Sequence, residues 1–434
     1  MSQTIALGAT GESFEVPGWT RVKQNFDTSH LADVPAATTA ALEASGIVLP
    51  AGGTVAITVG SRGIANVVAI TRAVADWCKA RGCEPFVVPS MGTHGGATAQ
   101  GQREMIEGLG CTEAALGCPI RSTMETVELD AGGLPTKVLH DKAASEASAC
   151  IVVNRIKPHT QVGTANFIAD QPFQSGLFKM VVIGLGNNDQ AVELHAGNYP
   201  RRMCELMPAV ARRKIALSTD GSGSCNIVGG LAIVENAYDQ TMLLEGIAAS
   251  QIEAREPMLL KLACEHMPRL CVEKLDVLLL DHTGKNISGT GMDTNIVGRV
   301  LNPGWDGFTE PTTPVIKAIG IHRLAGPSHG NGGGMGLADI ISRKFFESLD
   351  LELTWKHMVS CNWTVGGKIP GVLLLASVAQ RLPLSARISP AGARWAERWR
   401  ACCRHRSGGG NGRGGVPGMR PYGGHPRHGS VPRL

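Results

Sequence analysis

Three short β-rich runs, each ending in a polar loop marked by glycine or proline, constrain this chain more than any other feature. Thr54–Val59 (TVAITV) runs into Gly60-Ser61-Arg62-Gly63, residues 86–88 lead into GTHGGAT, and residues 149–153 (ACIVV) lead into NRIKPHT. Between them, Val67, Val68, Ile70, Val74, Trp77 and Cys78 lie at helical spacing and predict a helix closing at Gly82; a second helix passes through Met105 and Ile106. Residues 126–129 and 136–139 read as edge-like strands. Alternation of this kind predicts a parallel sheet covered on both faces. Ligands of such sheets bind where loops leave the carboxyl ends of the strands, so the three polar loops form a site rim.

A second unit is expected from about residue 269, where Pro268 and Arg269 interrupt a helical stretch. Residues 276–280 (DVLLL) predict a strand entering the polar loop 281–286, residues 313–321 another strand, and residues 337–349 a helix. The fold expected is α/β: two Rossmann-like α/β domains, 1–268 and 269–381, with the active site in the cleft between them. The HGNGGGMG loop at 329–336 either offers backbone N–H groups to a phosphate or is an ordinary flexible loop. It does not satisfy GxGxxG, because the sixth position is Met335.

Charge separates the last segment from the rest. Residues 382–434 hold ten arginines, no lysine and one acid, Glu397, a balance of +9, whereas residues 1–381 carry −5. The basicity belongs to the tail, which argues against a folded nucleic-acid-binding surface. The tail has almost no aliphatic residues after Ala401 and is expected to be disordered. Its abrupt turn to Arg, Gly and Pro is also what a GC-rich reading frame translated out of register produces; resequencing that finds no shift near residues 370–390 would refute this. Twelve cysteines without a CxxC pair read as buried free thiols in a reducing compartment. The first residues lack a basic region followed by a long apolar core, and no apolar run reaches membrane-spanning length. A cytoplasmic protein with neither membrane nor nucleic-acid partner is expected.

The candidate chemistry lies in three segments. His94, in Gly92-Thr93-His94-Gly95-Gly96, is presented by a loop whose glycines allow close approach of a ligand, or is incidental to it. His159 follows Pro158, which fixes its backbone; the plain alternative is a solvated loop histidine. In the run Ser175 to His195, Lys179 is embedded among Leu177, Phe178, Met180, Val181, Val182 and Ile183. Such a lysine either snorkels to water or is desolvated toward nucleophilic chemistry. His195 is a core histidine or a metal ligand, and no second donor stands beside it at ligand spacing.

In order, Gly92-Thr93-His94 with Thr98, Pro158-His159, Ser175-Gly176-Leu177-Phe178-Lys179 and His195, sixteen positions after the lysine, resemble the nickel-dependent lactate racemases and their relatives. The resemblance runs from about residue 54 to 370. It implies a nickel pincer nucleotide, derived from nicotinic acid, tethered to Lys179 through a thioamide, with Ser175 and Gly176 beside it and His195 as the protein's ligand to nickel. One imidazole completing a square plane of sulfur and carbon donors suits Ni(II). His94 and His159 become the acid/base pair on opposite faces of the substrate carbon. Arg62 becomes a carboxylate clamp, with Lys285, His282 and Trp363 as further substrate contacts.

The resemblance thus implies a racemase or epimerase acting by hydride transfer on a small-molecule 2-hydroxy acid and meeting cofactor-synthesis proteins transiently. Three departures alter the pocket wall. Val59 stands where the family has Asp three residues before its arginine. His282 replaces its glutamine before the second-domain lysine, and extra residues occur at 166–173. The substrate expected is therefore not lactate but a larger hydroxy acid, sugar acids included. The alternatives are a dehydrogenase or metal-assisted lyase using a diffusible cofactor on the same scaffold, and a non-catalytic nucleotide- or metabolite-binding homologue.

Overall fold

Val55, Ile57 and Val59 face one side of a sheet and Ala56 the other, and all are buried, as a strand covered on both faces requires. The computed structural model describes residues 3–7, 12–16, 20–61, 63–160, 171–195, 201–299 and 314–354, all within one compact unit, Met1–Leu384. Arg62, Trp363 and the tail at 382–434 lie outside the described residues, as do most of the extra residues at 166–173.

The chain opens with an antiparallel pair, β1 (Gln3–Leu7) and β2 (Glu12–Val16), then α1 (Val34–Glu43). Next come β3 (Thr54–Val59), α2 (Val67–Lys79), β4 (Glu84–Pro89), α3 (Ala99–Gly108) and the single turn α4 (Glu113–Leu116). β5 (Thr126–Leu129) and β6 (Val138–Asp141) pair only with each other, followed by α5 (Lys142–Ser145) and β7 (Ala149–Arg155). The short helix α6 (Leu177–Lys179) continues into a π-turn, Met180–Gly184, and then α7 (Asn187–His195) and α8 (Arg201–Thr219). β8 (Ile227–Glu235), β9 (Thr241–Ala248) and α9 (Ile252–His266) complete the first part.

The main sheet has the order β4-β3-β7-β8-β9; the first four strands are parallel and β9 closes the edge antiparallel. Helices α1 to α4 bury their apolar residues on one face, and the α6 segment, α7, α8 and α9 cover the other. From β3 the chain moves first to one neighbour, β4, and later to the other, β7. Such a reversal leaves a crevice at the carboxyl ends. The β3–β7 ladder stops at the Ile57–Ile151 pair, and beyond it the Thr58 hydroxyl accepts the Val153 N–H at 2.8 Å. The strands part there, and a side chain spans the gap.

A second sheet, wholly parallel, is formed by β10 (Lys274–Thr283), β11 (Val315–Leu324) and β12 (Ile340–Ile341), with α10 (Thr294–Val297) and α11 (Arg343–Glu347). β10 leaves Val277 and Leu279 57% and 63% exposed, so a DVLLL run reads as buried in sequence while half of it faces outward. The helix expected over 337–349 is instead a turn, β12 and α11. Ile340 and Ile341 pair with Gly320 and Ile321, and the Ser342 hydroxyl caps α11 only after that pairing. In the HGNGGGMG loop the Gly332 N–H donates to Thr354 Oγ1 and the Gly333 N–H to Asn331 Oδ1, and a three-residue 3₁₀ turn, Met335–Leu337, begins at its end.

Among the described residues every cysteine is a free thiol, six of them buried. No described helix is long and apolar enough to cross a membrane.

Candidate active site

The loops leaving β3, β4 and β7 meet the π-turn segment and the second sheet's first loop around one open cavity of about 1120 Å³, its mouth included. His94, His159, Ser175, Lys179, His195 and Lys285 all line it. β4 and β7 flank β3 on opposite sides, so His94 and His159 enter from the two sides of the Gly60-Ser61 turn.

The His94 loop is held from below. Gly92, at φ +61°, turns the chain against Ile183, and the buried Gln102 side chain donates to the Gly92 carbonyl at 2.8 Å and to that of His94 at 3.4 Å. Thr98 caps α3 by accepting the Gly101 N–H and closes the loop by donating to Gly95 O. His159 is fixed by its own N–H, which donates to Oε1 of the buried Gln174 at 2.8 Å. Lys157 and Ser175 exchange backbone hydrogen bonds across this loop, which brings Ser175 to the cavity. The second sheet is tied on here as well: Thr294 Oγ1 donates to Thr160 O at 2.7 Å, and Lys157 lies 3.8 Å from Asp293.

Lys179 faces the cavity because its neighbours face the core. Leu177, Phe178, Val181 and Val182 are fully buried, with Phe178 stacked on Phe173, while Lys179, Met180 and Ile183 line the site. Single π-turns of this kind concentrate at functional sites. One helix later, α7 ends at His195, whose Nδ1 donates to the Ala191 carbonyl. Burial, with the nearby Lys179 ammonium, pushes its pKa down to about 4. The ring is therefore neutral at pH 7 with its Nε2 lone pair uncommitted by that bond, the tautomer a metal-ligating imidazole needs.

Two sequence-derived site residues stand elsewhere. His282 is exposed on β10, with Nδ1 3.0 Å from the Asp281 carboxylate, a group already engaged by Arg323 and His322. His282 is turned outward to this charged cluster, while the next residue, Thr283, is buried. Gly176 is buried beside the cavity, and a Cβ there would sit on the Glu256 carboxylate. Its role is to leave room for that group, so Gly176→Ala is expected to lower stability by about 1–3 kcal/mol, read by denaturant unfolding.

The cavity also draws on Asn154, Arg155, Lys157 and Thr290, which the sequence reading left without roles. Basic residues directly after the ACIVV strand were the available signal. Arg155 pairs with the buried Glu235, which also accepts the Ala65 N–H at 2.7 Å. No carboxylate or thiol is among the described lining residues, and of the four cations there Arg155 is paired with Glu235 and Lys157 lies 3.8 Å from Asp293. No three His, Cys, Asp or Glu side chains among the described residues converge to hold a metal by themselves. A single neutral imidazole beside a lysine amine fits a metal whose other donors come with an attached group.

No protein-family model matches the chain, and no curated protein sequence matches it. Among solved structures it is similar to the lactate racemase apoprotein from Thermoanaerobacterium thermosaccharolyticum, at 13% identity and a TM-score of 0.37. The match covers 65% of this chain and 66% of that one, just under two thirds of its length. The mixed α/β architecture with its parallel-rich sheet rests on this chain's own strand pairing, and the site on its own side chains.

Proposed function

We propose that this chain is an isomerase, a racemase or epimerase of a 2-hydroxy acid other than lactate, built on two Rossmann-like α/β domains that share one cleft. The observation that carries the reading is the convergence of His94, His159, Lys179, His195 and Lys285 on one cavity. The group these residues fit is a nickel pincer nucleotide, held covalently by Lys179 beside Ser175, with His195 Nε2 as the protein's donor to nickel. When bound, such a group supplies an electrophilic carbon that accepts hydride from the substrate and returns it.

The chain's residues do the remaining work. Lys285, with Arg62, binds the substrate carboxylate and fixes the hydroxyl-bearing carbon between the two loops. His94 or His159, whichever faces the hydroxyl, takes its proton as the carbon becomes planar, and the other returns a proton from the opposite side. No carbanion forms next to the carboxylate, which is the obstacle in inverting an α-hydroxy acid.

Protein produced together with the cofactor-building enzymes is expected to carry nickel and added mass at Lys179, and both are expected to be lost in Lys179→Ala. Intact-mass and metal analysis checks this. Equal masses and no nickel would overturn the reading, and reversible nicotinamide binding in their place would favour a dehydrogenase on the same scaffold.

A further inference from the structure

Two fully buried ionisable side chains grip the Lys179 segment from outside the cavity. Glu256, on α9 and 1% exposed, accepts the Phe178 N–H at Oε2 at 2.8 Å. Lys214, on α8 and fully buried, donates from Nζ to the Val181 carbonyl at 2.9 Å and to that of Leu185 at 3.4 Å.

Each group answers a defined local need. The first turn of a helix leaves N–H donors unpaired and partially positive, and the last leaves carbonyls unpaired and partially negative. Here the turn starts abruptly after Gly176, which adopts an extended conformation, so no residue of the segment itself caps Leu177 and Phe178. At the other end, the Leu185 N–H reaches back five residues to Met180 O, and the π geometry shifts the neighbouring carbonyls away from ordinary helical partners. An acid meets the amino end and a lysine the carboxyl end. Gly176 provides the space the acid occupies, and Asn154 Nδ2 donates to Gly176 O at 2.8 Å from the cavity side.

We propose that Glu256 and Lys214 are positioning residues for Lys179, clamping both ends of the turn from Leu177 to Leu185 so that its amine is aimed into the cavity before any group is attached. The assignment rests on Lys179 being the attachment point. Removing either partner leaves buried backbone groups unsatisfied and frees the turn.

The test is hydrogen exchange resolved to the segment, with competitive amine acylation, both on unloaded wild-type protein and on Glu256→Met and Lys214→Met. The expected result is exchange at least about tenfold faster over 177–185 and little changed in β3 and α2. The Lys179-to-Lys285 labelling ratio is expected to rise at least about threefold. Glu256→Gln, which keeps an acceptor for the Phe178 N–H, is expected to restore most of the protection. Should the methionine variants not fold, Glu256→Gln and Lys214→Gln decide by the same local pattern at smaller size. Unchanged exchange, or exchange raised equally throughout the main sheet, would overturn the clamp. Neither readout needs nickel or turnover, so a missing Lys179 adduct counts against the proposed function alone, and a failed clamp leaves that function standing.

Discussion

Replacing His94 or His159 with alanine is expected to lower racemisation turnover by about 10²–10⁴-fold, the usual worth of a positioned acid/base group. Nickel content and the mass at Lys179 are expected to stay as in the unchanged protein, because the two imidazoles come from the β4 and β7 loops and not from the Lys179 turn. Each variant is expected to lose both directions of inversion, since one imidazole takes the hydroxyl proton on one side of β3 and the other replaces it on the far side. The double variant is expected to fall far short of the product of the two losses, as residues acting as a unit do. Polarimetry across a panel of 2-hydroxy acids measures the rates, and running the reaction in deuterium oxide adds a second reading. The carbon-bound hydrogen is expected to be retained in the inverted product. Solvent deuterium at that centre in every turnover, or a loss under about tenfold in both variants, would remove this chemistry.

The second large effect concerns stability against pH. Burial holds the Glu256 carboxyl up to about 8 in the folded chain, against an ordinary 4.5. The folded state therefore keeps a proton that the unfolded state gives up. Its contribution is fully present below pH 4.5 and lost as pH rises through 8, a change of about 5 kcal/mol at ~1.4 kcal/mol per unit. Lys214 acts in the next window. Burial pulls it down to about 8 from 10.5, so its penalty stands below pH 8 and is relieved between 8 and 10.5. Unfolding free energy is expected to pass through a minimum near pH 8. Above pH 6.5, where the histidines buried in the fold (His140 and His195) are neutral in the unfolded chain as well, urea unfolding up to pH 8 is expected to show a decline that Glu256→Gln removes; parallel curves for the two proteins would refute it.

Much of the site was legible because its residues follow strands. TVAITV and ACIVV are strands in the structure, and the loops after them, with GTHGG after β4, carry the groups that meet in the cavity. Order along the chain and attachment to strand ends were enough to place His94 and His159 around one opening, and Lys179 joined them only through the family resemblance. What remained hidden depended on partners far along the chain. Glu256 lies 78 residues from Phe178 and Lys214 lies 33 from Val181, and a buried polar residue in a helix reads in sequence like a solvated one. Gln102, beneath the His94 loop, was hidden for the same reason. The spacing of Leu337, Ile340, Ile341 and Phe345 suits a helix, but pairing of two of these residues with β11 took precedence. His282 stands with the exposed Asp281 cluster because His322 and Arg323 of β11 gather there, a cross-strand arrangement that sequence order does not display.

The parting of β3 from β7 beyond Ile57 has a temporal consequence. Because the polypeptide itself props the opening with the Thr58 hydroxyl, the gap exists as soon as the sheet has formed, and no guest is needed to wedge it apart. Under the proposed function, maturation then proceeds in two stages, a ribosomal product that finishes folding alone and a later modifying step that meets an already shaped receptacle.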